Sequence, residues 1–231
     1  DQGLIGLFDA DGTLIDQVWY APQMPGASMG RVPDGASNIE SLQLPSPGSL
    51  NPTKPVINPL PAELTLVEMA SQWSYHQDAA APPATWLEPG FDDAAWPSGK
   101  ALLANESSPM PAPLNTPLAL GPRTFYFRTQ FEWNGEAPPT RLQLWAIVDD
   151  GAILYLNGKE ILRIGMLPDI APYHEMLAGR NIINATLEGP FTIDLALLKP
   201  GENLLAAEVH QVSGNSSDIA FGLRLEAKTV S

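Results

Sequence analysis

Proline constrains this chain more than any other residue: 24 of its 231 residues are proline, spread from Pro22 to Pro200. A proline inside a helix removes a backbone donor and clashes with the preceding turn, so this distribution disfavours long helices. Between the prolines lie short apolar runs, punctuated by turn signals and without a sustained helical period. The expected fold class is therefore all-β, with strands packed as a sandwich. Apolar residues make up 44% of the chain, enough to fill a core. Cysteine is absent, which excludes disulfides, thiolate zinc sites and cysteine nucleophiles.

The net charge is −14, from 26 acidic and 12 basic side chains. Such a field repels phosphate backbones and anionic lipid, so no nucleic-acid partner is expected. It suits neutral ligands and cations, and it also simply confers solubility. No apolar run approaches the roughly 20 residues that span a bilayer, so no membrane insertion is expected. The chain opens at Asp1 rather than Met, which reads as a processed product.

Residues 1–51 read as short strands. Leu4 to Phe8 runs into Asp9-Ala10-Asp11-Gly12, a turn signal, and Thr13 to Tyr20 returns as the second arm of a hairpin. Ser28 to Val32, the turn Pro33-Asp34-Gly35 and Ile39 to Leu44 supply a second pair. Residues 52–65 read as a linker, because Pro52, Pro55, Pro59 and Pro61 favour an extended connection. Residues 66–231 read as the larger domain. Its expected strands are Trp73 to Tyr75, Thr124 to Trp133, Arg141 to Val148, Ile153 to Leu156, Lys159 to Ile164, Phe191 to Leu195, Asn203 to Val212 and Ile219 to Ala227. Asn157-Gly158 is the clearest hairpin signal, since that pair favours the primed turn that matches strand twist. Residues 105–122 and 165–188 read as long loops.

The first segment resembles the C-terminal half of a bacterial lamin-tail domain, an immunoglobulin-like sandwich. The match lies in Gly6-Leu7-Phe8-Asp9 with Asp11-Gly12, in Gly30-Arg31 with Pro33-Asp34-Gly35, and in Pro45 to Asn51. The first strands of that family are absent, so the resemblance implies a partial immunoglobulin-like β-sandwich with unpaired edges and an open apolar face. Docking on the second domain, or a homodimer formed through this segment, is the expected way to cover it. The second segment carries Trp73-Ser74-Tyr75, Phe91-Asp92-Asp93 with Trp96, Tyr126-Phe127-Arg128, Asp149-Asp150-Gly151-Ala152 with Tyr155-Leu156-Asn157-Gly158, Gly201-Glu202-Asn203, Ala207-Glu208-Val209-His210-Gln211 and Ser216-Ser217-Asp218. In that order it resembles a jelly-roll β-sandwich module of large secreted bacterial proteins, similar to the galactose-binding-like superfamily. The resemblance implies a secreted, extracellular or cell-surface protein and an accessory, carbohydrate-binding role. It also implies a structural calcium ion.

Three constellations can carry chemistry. Asp149-Asp150-Gly151 offers adjacent carboxylates to a hard cation such as calcium, with Asp218 as a further ligand; the alternative is a turn whose aspartates cap backbone amides. On a strand, Glu208 and His210 share one face while Val209 and Gln211 share the other. Glu208 and His210 thus reach a groove or solvent and form a polar site with Asp218; the alternative is a hydrogen-bonded network that fixes the following loop. The tryptophans are the third constellation, since sugar rings stack on exposed aromatic planes. Trp73, Trp96 and Trp145 read as core, and Trp86 and Trp133 as platforms. Tyr173 and His174, in the 165–188 loop, are placed to line a pocket.

The leading expectation is a non-catalytic carbohydrate-binding module whose ligand is a glycan or polysaccharide. Its binding residues are Trp86, Trp133, Asp149, Asp150, Asn157, Tyr173, His174, His210 and Gln211, with calcium on Asp149, Asp150 and Asp218. One alternative is a structural or assembly module. Another is a metal-dependent hydrolase built on His76, Asp150, Glu208, His210 and Asp218. No nucleophile elbow, phosphate loop or zinc-protease motif occurs in the sequence.

Overall fold

Two-residue alternation along the strands sets the architecture, because successive side chains of a strand point to opposite faces. The computed structural model describes residues 3–20, 28–42, 46–51, 62–134 and 139–229. The chain divides into an N-terminal unit ending at Pro61 and a larger unit from Ala62 to Val230. The prolines at 52, 55, 59 and 61, and the expected strand end at Gln43 and Leu44, lie outside the described residues.

The N-terminal unit holds two antiparallel hairpins. β1 (Gly3–Phe8) pairs with β2 (Leu14–Tyr20), and β3 (Ser28–Arg31) with β4 (Ile39–Leu42). Asp9 makes the first turn: its carboxylate accepts the amides of Asp11 at 3.0 Å and Thr13 at 2.8 Å, and Gly12 takes a left-handed φ of 81°. An ion pair of 2.6 Å between Arg31 and Asp16 joins the hairpins. Among the described residues of this unit, Val32 and Leu42 are the buried apolar side chains, whereas Ile5, Leu7, Phe8, Ile15 and Trp19 are exposed, Trp19 to 68%. These side chains make an exposed apolar surface on the first hairpin.

The larger unit is a two-sheet, all-β sandwich. Its strands are β5 (Ala62–Val67), β6 (Gln72–His76), β7 (Ser98–Lys100), β8 (Leu103–Asn105), β9 (Thr116–Pro117), β10 (Thr124–Trp133), β11 (Arg141–Asp149), β12 (Gly151–Leu156), β13 (Lys159–Ile164), β14 (Leu187–Ile193), β15 (Gly201–His210) and β16 (Ile219–Thr229). The first sheet runs β13-β12-β15-β10-β6-β7. The second runs β14-β11-β16, and the far edge of β16 pairs with β8 near Ile219 and with β5 near its end. β9 joins β8 in parallel. β5 starts inside the stretch expected to be linker. Its partners are Leu225 to Thr229, at the other end of the chain, so no local signal separates it from an extended connection.

Alternation fills the core. Phe125, Phe127, Leu154, Leu205, Ala207 and Val209 point inward from the first sheet, against Leu142, Leu144, Phe221, Leu223 and Leu225 from the second. The outer faces are covered too. Tyr126, Ile153, Tyr155 and Ala206, on the outer side of the first sheet, pack under Trp86, Leu87, Phe91, Trp96 and Met166. On the second sheet, Ile147 and Ala220 pack with Leu102 and Ala104 under Met110 and Ile182. Covering both faces explains why β12 is buried along its whole length.

Arg128, also on the outer side and 2% exposed, fixes the 84–96 loop. Its guanidinium donates to the carbonyls of Glu88 (3.0 Å) and Phe91 (3.2 Å) and to the Asp93 carboxylate (3.0 Å), and it lies 4.9 Å over the Phe91 ring. Burial lowers its pKa, and Asp93 opposes that shift. Arg128→Ala is expected to leave Asp93 and two carbonyls without this donor and to destabilise the domain by about 3 kcal/mol. The check is the urea midpoint, with Arg123→Ala, at an exposed ion pair, as the near-neutral control.

Candidate functional site

A cleft of about 430 Å³ opens on the outer side of the first sheet. Its floor is Tyr126 from β10, Tyr155 from β12 and Glu208 from β15. Its walls are Trp86, in the short 3-10 helix Ala84–Leu87, and Pro172, Tyr173 and His174 from the 165–188 loop. Strand register makes the floor: Tyr126 lies opposite Glu208, Ile153 lies opposite Glu208 on the other side, and Tyr155 follows two residues after Ile153 on the same face.

The floor is polar and almost fully buried. The Tyr155 hydroxyl donates to Glu208 Oε1 in a short bond. His210 Nε2 stands 3.4 Å from Glu208 Oε2. His210 Nδ1 donates to the Met176 carbonyl at 2.9 Å and lies 3.0 Å from Thr124 Oγ1, which itself donates to the His174 carbonyl. His174 Nε2 donates to the Ala79 carbonyl at 3.1 Å, so its Nδ1 is left to accept from the Tyr126 hydroxyl, also at 3.1 Å. Burial, then the Glu208 charge, pushes the pKa of both Tyr126 and Tyr155 upward, so both hydroxyls stay protonated donors. Glu208 is part of the cleft floor, whereas His210 lies beneath it, outside the lining, and pins the 165–188 loop at Met176, not the 213–218 loop that follows it.

The Asp149-Asp150 turn divides its work. Asp150 accepts the amides of Ile182 and Val212, each at 2.8 Å, and its carbonyl accepts from Arg180 Nε at 2.7 Å. It is a cap for two loops, as the turn alternative holds, and this corrects its assignment as a cation or sugar ligand. Asp149, 0% exposed, has no hydrogen-bond partner on either carboxylate oxygen. Its ligand atoms fall within 4.8 Å of those of Glu106 and Asp218. Burial first, then the charges of Asp150 and Asp218, pushes the Asp149 pKa up to about 8. Asp218 is shifted upward too, by burial and then by Glu106.

Several expected ligand residues take other roles. Trp133, 4% exposed, sits in the sandwich core and is no platform, because its position on β10 has the inward parity of Phe125 and Phe127. Trp145 is half-buried instead of core, with the Arg224 guanidinium 4.4 Å over its ring. Trp86 is largely buried and meets Tyr126 and Tyr155 edge-on. The exposed aromatic at the cleft is Tyr173. Asn157 is committed to the β12–β13 turn: its amide donates to Leu197 O and Asn203 Oδ1, and its carbonyl accepts from the Leu204 amide. Gln211 donates to the Asp218 carbonyl at 2.7 Å, and its Oε1 is buried without a partner. His76 bonds the Ala80 carbonyl at 2.8 Å. Among the described residues, no group of three or more metal-ligating side chains includes His76, Glu208 or His210. The five residues of the hydrolase alternative therefore do not meet as one metal-ligating group among the described residues. Glu106, Tyr126 and Tyr155 join these sites in addition to the residues expected from the sequence. Tyr126 and Tyr155 sit in the quoted motifs at outward parity, which is the signal that identifies them; Glu106 has no local signal.

A scan against protein-family models finds no match, and neither does a search of curated proteins. Comparison with solved structures finds β-glucuronidases. For β-glucuronidase 2 of Bacteroides uniformis the identity is 16%, over 72% of this chain and 18% of that one, with a TM-score of 0.45. A β-glucuronidase of an uncultured Clostridium sp. gives 16%, 76%, 30% and 0.45. That of Ruminococcus gnavus gives 13%, 76%, 30% and 0.44. The chain thus spans less than a third of the length of these enzymes. No helix among the described residues is long and apolar enough to cross a membrane.

Two substitutions at the turn have opposite expected outcomes. Asp150→Ala removes the acceptor of two loop amides and is expected to cost about 2 kcal/mol of stability, read from the urea midpoint. Asp149 holds its proton more tightly folded than unfolded. Without divalent cations, stability should therefore fall as pH rises from about 4, the unfolded value, to about 8. Asp149→Asn should flatten that part of the Tm–pH profile, measured with chelator present.

Proposed function

We propose that the larger unit is a non-catalytic carbohydrate-binding module, an accessory part of a secreted or cell-surface protein, and that it takes a neutral sugar in the cleft above Glu208. One observation carries this reading: a buried carboxylate and two tyrosine hydroxyls form the floor of a cleft with an exposed aromatic ring, Tyr173, at its rim. Sugar hydroxyls donate to carboxylates and to the oxygens of tyrosines whose protons are already engaged, and sugar C–H faces pack on aromatic planes. Glu160 and Glu208 give the cleft an acidic lining, which disfavours anionic sugars.

The test is a glycan array probed with the full chain, followed by titration of any hit. Tyr173→Ala, which changes an exposed ring, is expected to weaken a genuine ligand roughly tenfold while leaving Tm unchanged. Undiminished affinity in Tyr173→Ala would move the ligand away from this cleft. A blank array would favour the second reading, an assembly module, which the exposed apolar residues of β1 and β2 support. Under that reading the chain self-associates in light scattering, and Trp19→Asp restores the monomer mass.

A further inference from the structure

At one end of the second sheet, three neighbouring strands bring acidic side chains to one point. β16 begins at Ile219, directly after Asp218; Ile219 pairs with Asn105, which precedes Glu106; and Ala220 pairs with Asp149. Carboxylate oxygens of Glu106, Asp149 and Asp218 consequently lie within 4.8 Å of one another. A close set of acidic groups is by itself an ordinary surface feature. This one has a wholly buried member: Asp149 is 0% exposed, and neither of its carboxylate oxygens has a hydrogen-bond partner. Glu106 Oε2 and Gln211 Oε1 are likewise buried without a partner. The Gln211 amide is held beside the cluster by its bond to the Asp218 carbonyl. Four buried acceptor atoms thus have no donor among the described residues, although buried polar groups are rarely left unpaired.

We propose that Glu106, Asp149, Asp218 and Gln211 form a binding site for a hard divalent cation, calcium. Every candidate ligand atom is oxygen, and no histidine belongs to the group, which favours calcium over transition metals. Asp149 and Glu106 supply charge, Gln211 supplies a neutral carbonyl oxygen, and water completes the shell. A pocket of about 330 Å³ bordered by Asp218, Val212 and Ile182 gives the ion a route from solvent. Asp150 stays outside the ligand set, because both of its oxygens accept backbone amides. The ion would hold together the end of β8, the β11–β12 turn and the loop before β16. Its role is independent of whether the cleft above Glu208 binds sugar.

The experiment is calorimetric titration of the chelator-treated full chain with calcium chloride, paired with thermal unfolding. A Kd on the order of 10⁻⁴ M is expected, as in extracellular modules. At about 10 mM calcium, Tm should rise by roughly 5 °C. Asp149→Asn keeps the shape of the side chain and should abolish both signals. Glu106→Gln, at a partly exposed position, should weaken them at least tenfold and serves if Asp149→Asn does not fold. Glu175→Gln, an exposed carboxylate paired with Arg123 and outside the ligand set, should leave them intact. Absence of binding heat together with an unchanged Tm in the parent chain overturns the proposal. So does an undiminished calcium response in Asp149→Asn or Glu106→Gln.

Discussion

A backbone amide or carbonyl removed from water must find a partner, and the larger unit rests on that requirement. Irregular segments cover the outer faces of its sheets. They have few ladder bonds of their own, so buried polar side chains projecting from the strands supply the missing partners. Arg128 takes the carbonyls of Glu88 and Phe91. His210 and Thr124 take those of Met176 and His174. Asp150 takes the amides of Ile182 and Val212. Without these anchors the loops would lie on the sheets as uncompensated backbone, and the second hydrophobic layer under Trp86 would open.

The same requirement separates the two aspartates of the β11–β12 turn. They are neighbours in sequence and almost equally buried, yet Asp150 has a donor on each oxygen and Asp149 has none. Chemistry follows from that difference. A fully satisfied carboxylate is a structural pin, whereas burial and the neighbouring carboxylates push an unsatisfied one toward its protonated form. In the cleft, Glu208 lies between these cases. Tyr155 satisfies one oxygen, and the other faces His210 at a distance longer than a good hydrogen bond.

Much of the strand map was legible, because alternation and turn chemistry are local. Thr124 to Trp133 and Lys159 to Ile164 coincide with observed strands, and the Asn157-Gly158 turn is where its residues place it. The strands that were missed, β5, β7, β8 and β9, are short or lie at an edge, and each depends on a distant partner for its identity. Trp133 lies in the core for a related reason: strand parity, and not proximity to a loop, decides which face a side chain takes. His174 lines the cleft as its loop position suggests, and its ring bridges the Ala79 carbonyl and the Tyr126 hydroxyl, a role that only the folded loop could assign.

The sequence by itself determined the class of fold and the parity of each long strand, because proline spacing, apolar alternation and Asn-Gly or Asp-Gly turns act over a few residues. It also determined that Glu208 and His210 share a face opposite Val209. Tertiary structure alone decided that this outward face is roofed by loops, so that Glu208 became part of a cleft floor and His210 a buried anchor for the 165–188 loop. It alone brought Glu106 to Asp149 and Asp218, since that meeting depends on which strands lie beside β16. Local patterns carry the direction of a side chain. They do not carry strand order, and strand order determines which distant side chains share a site.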